Sequence, residues 1–312
     1  MTLFRWIFRV VQPISPAAAA WLAERIFFTA RRTPLSRSAR AFLANARRFT
    51  LRVEGRRVVG WRWGGGNDGA PVVYLVHGWG SRGARLAAFV EPLVARGYAV
   101  VMFDALGNGA SARGMTSMPE YARTLAAVVA QQGRGVSPHA IVGHSMGCAA
   151  TALALSWGLE AGRLVFLAPA VDPPAWVLPF ARALGLRPDV IERVRARSQR
   201  RLRVRWDDLN VCDIARKLSH RPPLFIVHDE QDETVRYADG SAIAAAWPEA
   251  RLITTSGLGH RGVTQAPNIV QQAIQFLTSG SADVSETRAL EWEMFYREER
   301  ISDRAGHRPV RA

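Results

Sequence analysis

Between Phe49 and Thr278 the chain repeats one hydrophobic rhythm. A short apolar run is followed by a polar or glycine-bearing break, then by a longer stretch whose apolar positions recur at helical spacing. "FTLRVEGRRVVGWRW" (49–63) reads as two strands joined near Glu54-Gly55, and "GGGNDGAP" (64–71) ends the pair as a loop. Further strands are predicted at "VVYLV" (72–76), "AVVMF" (99–103), "AIV" (140–142), "LVFL" (164–167), "LFIV" (224–227) and "RLIT" (251–254). Helices are predicted at 84–96, 119–132, 146–158, 238–246 and 266–278. Strand runs that are apolar throughout, rather than alternating, need cover on both faces. The pattern therefore predicts an α/β fold with a parallel sheet and helices on both sides. Ligands of such sheets bind beyond the carboxyl ends of the strands, so the loops after these runs are where function is expected.

Three segments fall outside the rhythm. Residues 1–49 form a helix-prone basic arm with nine arginines and a single acid, Glu24. Leu3, Phe4, Ile7, Phe8 and Val11 share one helical face there, and Arg5 and Arg9 another. The arm is expected to lay its apolar face on the protein's own body, with a surface-lying membrane anchor as the alternative. Within the main domain, 50–280, the stretch Ala168–Pro223 is far longer than a strand-to-helix connection needs. Its helical middle carries nine arginines between Arg182 and Arg205 and predicts an inserted cap at about 170–222. The remainder, 281–312, is a charged tail to which the sequence assigns no function.

Composition narrows the classes. The apolar share of 48% and charged share of 21% are those of an ordinary globular protein. The net charge of +15 is almost all arginine, Lys217 being the only lysine. It predicts attraction to anionic surfaces, but no zinc-finger spacing or aromatic RNA-binding signature accompanies it, so nucleic acid is not expected as a partner. Arg9, Pro13 and Pro16 interrupt the N-terminal apolar run, so neither a signal peptide nor a membrane span is expected. Two cysteines, Cys148 and Cys212, set no disulfide framework and no metal site, which points to the cytoplasm.

The chemistry centres on "AIVGHSMGCAATALAL" (140–155), where a strand-like run leads into Gly143-His144-Ser145-Met146-Gly147. A serine on a sharp strand-to-helix turn has unfavourable backbone angles and needs tiny neighbours, which accounts for the two glycines. The turn lifts the hydroxyl clear of the sheet, and the helix N-terminus aims N–H groups where negative charge would develop. Serine needs a base, and His260 in "TSGLGHRGVTQAP" sits in a loop after the last strand, on the same edge. His144, His139, His77, His220, His228 and His307 are placed less well for that role. The base needs an acid. Asp232, a few residues beyond the 224–227 strand, is the first choice, with Asp229, Glu230 and Asp172 as rivals. "VVYLVHGWGSRG" supplies a glycine-bordered loop whose Trp79 N–H can pair with that of Met146 as an oxyanion hole, and the Trp79 indole would wall the acyl pocket.

Together these pieces resemble the α/β-hydrolase superfamily over roughly residues 50–280. The resemblance rests on His77-Gly78, "FDALGNGAS" (103–111), the turn at Ser145, the Asp232 loop and the His260 loop. It implies an eight-stranded sheet with one antiparallel strand and a lid inserted after the sixth strand. Asn108 and Leu106 stand where many relatives have histidine and proline. The expectation is a serine hydrolase of carboxylic esters or thioesters, acting on a small molecule without metal or organic cofactor, cytoplasmic or peripheral to the inner face of an anionic membrane. An acyltransferase, a carbon–carbon bond hydrolase and a non-catalytic membrane-surface protein are the alternatives.

Overall fold

The runs that are apolar on both faces become the centre of one sheet. A computed structural model describes residues 2–65 and 69–279, so the charged tail lies outside the described residues. Eight strands are formed: β1 (Arg47–Val53), β2 (Arg56–Trp63), β3 (Val72–Val76), β4 (Ala99–Asp104), β5 (Ala140–His144), β6 (Arg163–Leu167), β7 (Leu224–Asp229) and β8 (Ala250–Thr255). They lie in the order β1-β2-β4-β3-β5-β6-β7-β8. β2 is antiparallel to both neighbours and every other adjacent pair is parallel. Both faces of the inner strands β3, β4 and β5 are dry, as their non-alternating runs require. Tyr74, Val76, Val101 and Phe103 enter one hydrophobic cluster, while Val73, Leu75, Val100 and Met102 enter the other.

The helices, in chain order, are α1 (Thr2–Ile14), α2 (Pro16–Phe27), α3 (Arg37–Ala44), α4 (Val90–Val94), α5 (Met118–Gly133), α6 (Met146–Ser156), α7 (Val177–Leu184), α8 (Pro188–Leu202), α9 (Val211–Lys217), α10 (Tyr237–Ala246), α11 (Gly259–Gly262) and α12 (Pro267–Thr278). The helix predicted at 84–96 forms differently. Gly83–Phe89 is a 3-10 helix and only Val90–Val94 is α. Its first N–H, on Gly83, is drawn to Asp104 Oδ1 at 2.7 Å, and the chain bends at Leu86. α7, α8 and α9, with two short 3-10 turns, fill the interval between β6 and β7.

The first 36 residues are bound into this body at both ends. Glu24 of α2 is buried and accepts from Arg197 at 3.1 Å and Arg201 at 3.0 Å, both on α8. Arg201 also reaches Glu120 of α5 at 3.4 Å. Buried Gln12 of α1 donates to the Gly185 carbonyl and accepts from the Arg187 N–H, at the turn between α7 and α8. Farther on, Arg32 donates to the carbonyls of Gly107, Gly109 and Ser111, all in the loop after β4.

One expectation for the arm is only partly met. Of the five apolar residues assigned to its packing face, Phe8 alone is fully buried, and Leu3 and Phe4 are exposed. The Gln12 bonds set which side of α1 faces inward, so the buried stripe runs Phe8–Gln12, one turn apart. Trp6, Val10 and Ile14 are left in solvent with Leu3.

Candidate active site

β5 delivers Ser145 at the sheet's carboxyl edge with φ 53° and ψ −120°, a strained conformation for a residue with a Cβ. The neighbouring glycines are there because the chain is crowded. A Cβ on Gly143 would lie 2.9 Å from the Cys148 nitrogen, and one on Gly147 would run into the Val76 carbonyl of β3. α6 starts at Met146, directly after the serine.

The loop after β3 is braced from beneath. The Gly78 carbonyl accepts from Tyr121 Oη at 3.0 Å and from His77 Nδ1 at 2.7 Å. His77 Nε2 accepts the Ala105 N–H at 3.0 Å, which puts the ring proton on Nδ1. Complete burial pushes His77 below its ordinary pKa and keeps it neutral. Because the peptide is trans, fixing the Gly78 carbonyl turns the Trp79 N–H the opposite way. The Gly80 N–H is held by Asn108 Oδ1 at 3.1 Å. The position where the sequence departs from many relatives is therefore a brace for this loop, which sequence reasoning did not anticipate.

His260 Nδ1 lies 2.7 Å from Asp232 Oδ2. Asp232 Oδ1 accepts the N–H groups of Thr234 and Val235, each at 2.8 Å. Burial alone would raise this carboxyl. Hydrogen bonds from His228, His260 and the Val235 N–H outweigh it and hold the group well below the usual carboxylate range. His228 was discounted from the sequence as a candidate base. It is fully buried, with Nε2 at 3.4 Å from Asp232 Oδ2 and 3.1 Å from the Val235 carbonyl. The acid thus has a histidine on either side.

His144 also bears on His260. Its Nε2 is 2.9 Å from the His260 carbonyl and the two rings are 4.7 Å apart. Burial drives its pKa well down, so the neutral ring donates Nε2–H to that carbonyl. The rivals for the acid are placed elsewhere. Asp229 accepts from Gln231, Thr255 and Leu258 and ties down the loop leading to His260. Glu230 is exposed, and Asp172 opens the 3-10 turn at Pro173–Trp176. Among the other histidines, His139 bonds the Leu277 carbonyl, His220 is exposed, and His307 lies outside the described residues.

Ser145, His260, Trp79 and Met146 all line one cavity of about 1030 Å³. Its walls come from the sheet edge, from α7, α8 and the turns around them, and from the arm, which contributes Phe27, Phe28 and residues 31–36. The arm's place at the site had no signal in the spacing of the motifs. Among the described residues no cluster of three His, Cys, Asp or Glu side chains could hold a metal ion, and no helix is long and apolar enough to cross a membrane.

A family model described as serine aminopeptidase, S33, matches residues 68–217, and one described as TAP-like protein matches 205–289. The two run on from one another across the sheet. The chain belongs to the α/β-hydrolase superfamily. No curated protein matches it in sequence. Solved α/β-hydrolase structures similar to it include a putative lipase from Acinetobacter baumannii AYE, at 16% identity and TM-score 0.59, covering 80% of this chain and 98% of that one. A bacterial membrane phospholipase A matches at 17% identity and TM-score 0.56 over 87% of this chain and 93% of its own. Est1E from Butyrivibrio proteoclasticus, solved with ferulic acid bound, matches at 20% identity and TM-score 0.57 over 74% and 99%. At these identities the solved structures speak to the α/β-hydrolase fold alone.

Proposed function

We propose that this α/β-hydrolase cleaves carboxylic esters or thioesters through an acyl-serine, with Ser145 as nucleophile, His260 as base and Asp232 as acid. The observation that carries the reading is that His260, paired with Asp232 at 2.7 Å, lines the same cavity as the strained Ser145. His260 Nε2 takes the Ser145 proton as Oγ bonds to the carbonyl carbon. The N–H groups of Trp79 and Met146 hold the resulting oxyanion. Collapse breaks the bond to the alcohol or thiol, which leaves with the proton from His260. Water then gives a proton to His260 and attacks the acyl carbon; the bond from that carbon to Ser145 Oγ breaks, His260 returns the proton to Oγ, and the acid departs. Asp232 keeps the base in the right tautomer throughout, and the roles of His228 and His144 are to hold Asp232 and the His260 backbone in place.

A fluorophosphonate probe is expected to label Ser145, with the adduct located by peptide mass spectrometry. Ser145→Ala should abolish the label and lower ester turnover by roughly 10³-fold or more with the thermal transition retained. Full turnover in that variant would refute the mechanism.

One further observation favours an addition to this reading, peripheral association with an anionic membrane from the cytoplasmic side. Leu3, Trp6, Val10 and Ile14 project from α1 beside Arg5 and Arg9, with exposed Trp21 on the next helix. Arg9 lies over the Trp6 ring and Arg25 over Trp21, at 5.5 and 5.2 Å from their centres. Such a mixture of apolar, aromatic and cationic side chains suits the headgroup layer.

A further inference from the structure

The cavity that holds Ser145, at about 1030 Å³, stands at the upper end of the range for small-molecule sites. Its lining changes character with burial. The charged lining residues, Arg31 and Arg261 among them, are exposed or half-buried. The buried ones include no acid, arginine or lysine, and apart from Gly78, Ser117 and His144 they are apolar. Six of these come from three parts of the chain: Phe28 from the arm, Met118 and Pro119 from the first turn of α5, and Leu202, Trp206 and Leu209 from the end of α8 and the 3-10 turn after it.

Bonds between these segments draw them to one corner. The Phe28 carbonyl accepts the Thr116 N–H at 2.7 Å, two residues before Met118. The Arg201 guanidinium lies 5.0 Å from the Phe28 ring centre, and the carbonyl of the next residue, Leu202, is held by Arg123 of α5. Trp206 gives its indole N–H to Ser198 Oγ at 3.0 Å, one turn before Leu202 on α8. Ser117 Oγ donates to Glu120 Oε2 at 2.8 Å. The Ser117 and Trp206 protons are thus both spent inside the protein. A polar ligand group set against them would give up water without gaining their bonds, whereas hydrocarbon loses nothing there. The corner also adjoins the reaction centre. Tyr121, one turn along α5 from Met118, donates to the Gly78 carbonyl beneath the loop of Trp79.

We infer that the ester or thioester carries an unbranched hydrocarbon chain longer than butyl, which lies in this corner between the arm, α5 and the turn after α8. Phe28, supplied by the arm from outside the α/β domain, sets how much of the chain fits. The same corner serves a chain on the acyl group or on the alcohol, and the two are told apart by assay. The inference rests on the hydrolase reading above, and a binding measurement distinguishes failure of one from failure of the other.

Two series of esters are assayed at concentrations where they remain monomeric. 4-Nitrophenyl acetate, butanoate and octanoate lengthen the acyl group, and ethyl, butyl and octyl acetate lengthen the alcohol. Each buried methylene is worth about a threefold to fourfold gain in kcat/KM, so the eight-carbon member should exceed the four-carbon one on the order of 100-fold. A gain in the first series places the chain on the acyl group, a gain in the second places it on the alcohol, and a gain in both means that the corner takes either. Equal kcat/KM along both series overturns the inference. Met118→Phe, which fills the corner, should cut the eight-to-four-carbon ratio by roughly tenfold or more. The milder Phe28→Leu, which opens it, should move the best chain length upward. A gain that neither variant alters overturns the placement. Calorimetric binding of 1-decanol and 1-butanol to the Ser145→Ala protein supplies the independent readout. Tighter binding of 1-decanol, weakened by Met118→Phe, with no turnover of any ester by the wild type would uphold the corner and sink the hydrolase reading. Equal binding of the two alcohols, or none, would overturn the corner.

Discussion

Asp232 is an acid whose environment was built to keep it charged. It accepts two backbone N–H groups and lies against two histidines, so its folded pKa is depressed although it is buried. The sign of the consequence is fixed. A carboxyl with a lowered folded pKa stabilises the native state fully above its unfolded value, near 4, and loses that contribution as pH falls through the lower folded value. Urea unfolding of wild type and Asp232→Asn at a series of pH values should show the gap between them largest at pH 6 and narrowing toward pH 3. A constant gap would mean that the charge does not matter. At this scale the sequence was partly legible. The order Ser145, Asp232, His260 stood out because each follows a strand on one edge. The second histidine at Asp232 and the contact of His144 with His260 did not, because both depend on how loops fold back over strand ends. Nothing in one-dimensional spacing measures that.

At the scale of elements, the arm is joined to α8 by charge as well as by packing. Glu24 is the arm's only acid, and it sits nearly buried between Arg197 and Arg201 of α8. Those arginines are 38% and 26% exposed, so solvent tempers the pair. Glu24→Gln should still cost about 1–3 kcal/mol, because two arginines are left facing an uncharged partner. Hydrogen exchange should report the loss first in α2 and α8. Exchange rising uniformly over the sheet instead would argue that the pair supports the whole fold rather than this joint. The strands were readable from their apolar runs, and β3 matches its predicted span residue for residue. The 3-10 stretch at 83–89 was not, since its geometry answers to Asp104, twenty-one residues later. Arm and cap were each visible as departures from the rhythm. That they pack on one another was hidden, because the pairing links segments more than 170 residues apart.

For the molecule as a whole, α1 and α2 are a place where charge and exposed apolar area coincide. If α1 meets a membrane, sedimentation with vesicles containing phosphatidylserine should be strong at low salt and weaken as ionic strength rises, while neutral vesicles bind less. Trp6→Ala/Val10→Ala should reduce binding at every salt concentration by removing apolar area. Equal recovery in the pellet with and without vesicles would rule the association out. No described residue of α1 lines the cavity of Ser145, so the proposed hydrolysis of a dissolved ester probe should be unaffected by vesicles that carry no substrate.

The long reach from Gln12 to Arg187 also has a meaning in time. α1 and α2 are made before α8, and their partners there follow about 175 residues afterwards. At roughly 5–20 residues per second that is an interval on the order of 10–30 s. Over that interval Phe8 and the small apolar face of α2 lack the α7 and α8 surfaces that later cover them. During its own synthesis the protein therefore presents an apolar, arginine-studded helix pair of the kind that chaperones and membrane surfaces bind. The joint between arm and α8 begins as a segment in search of cover.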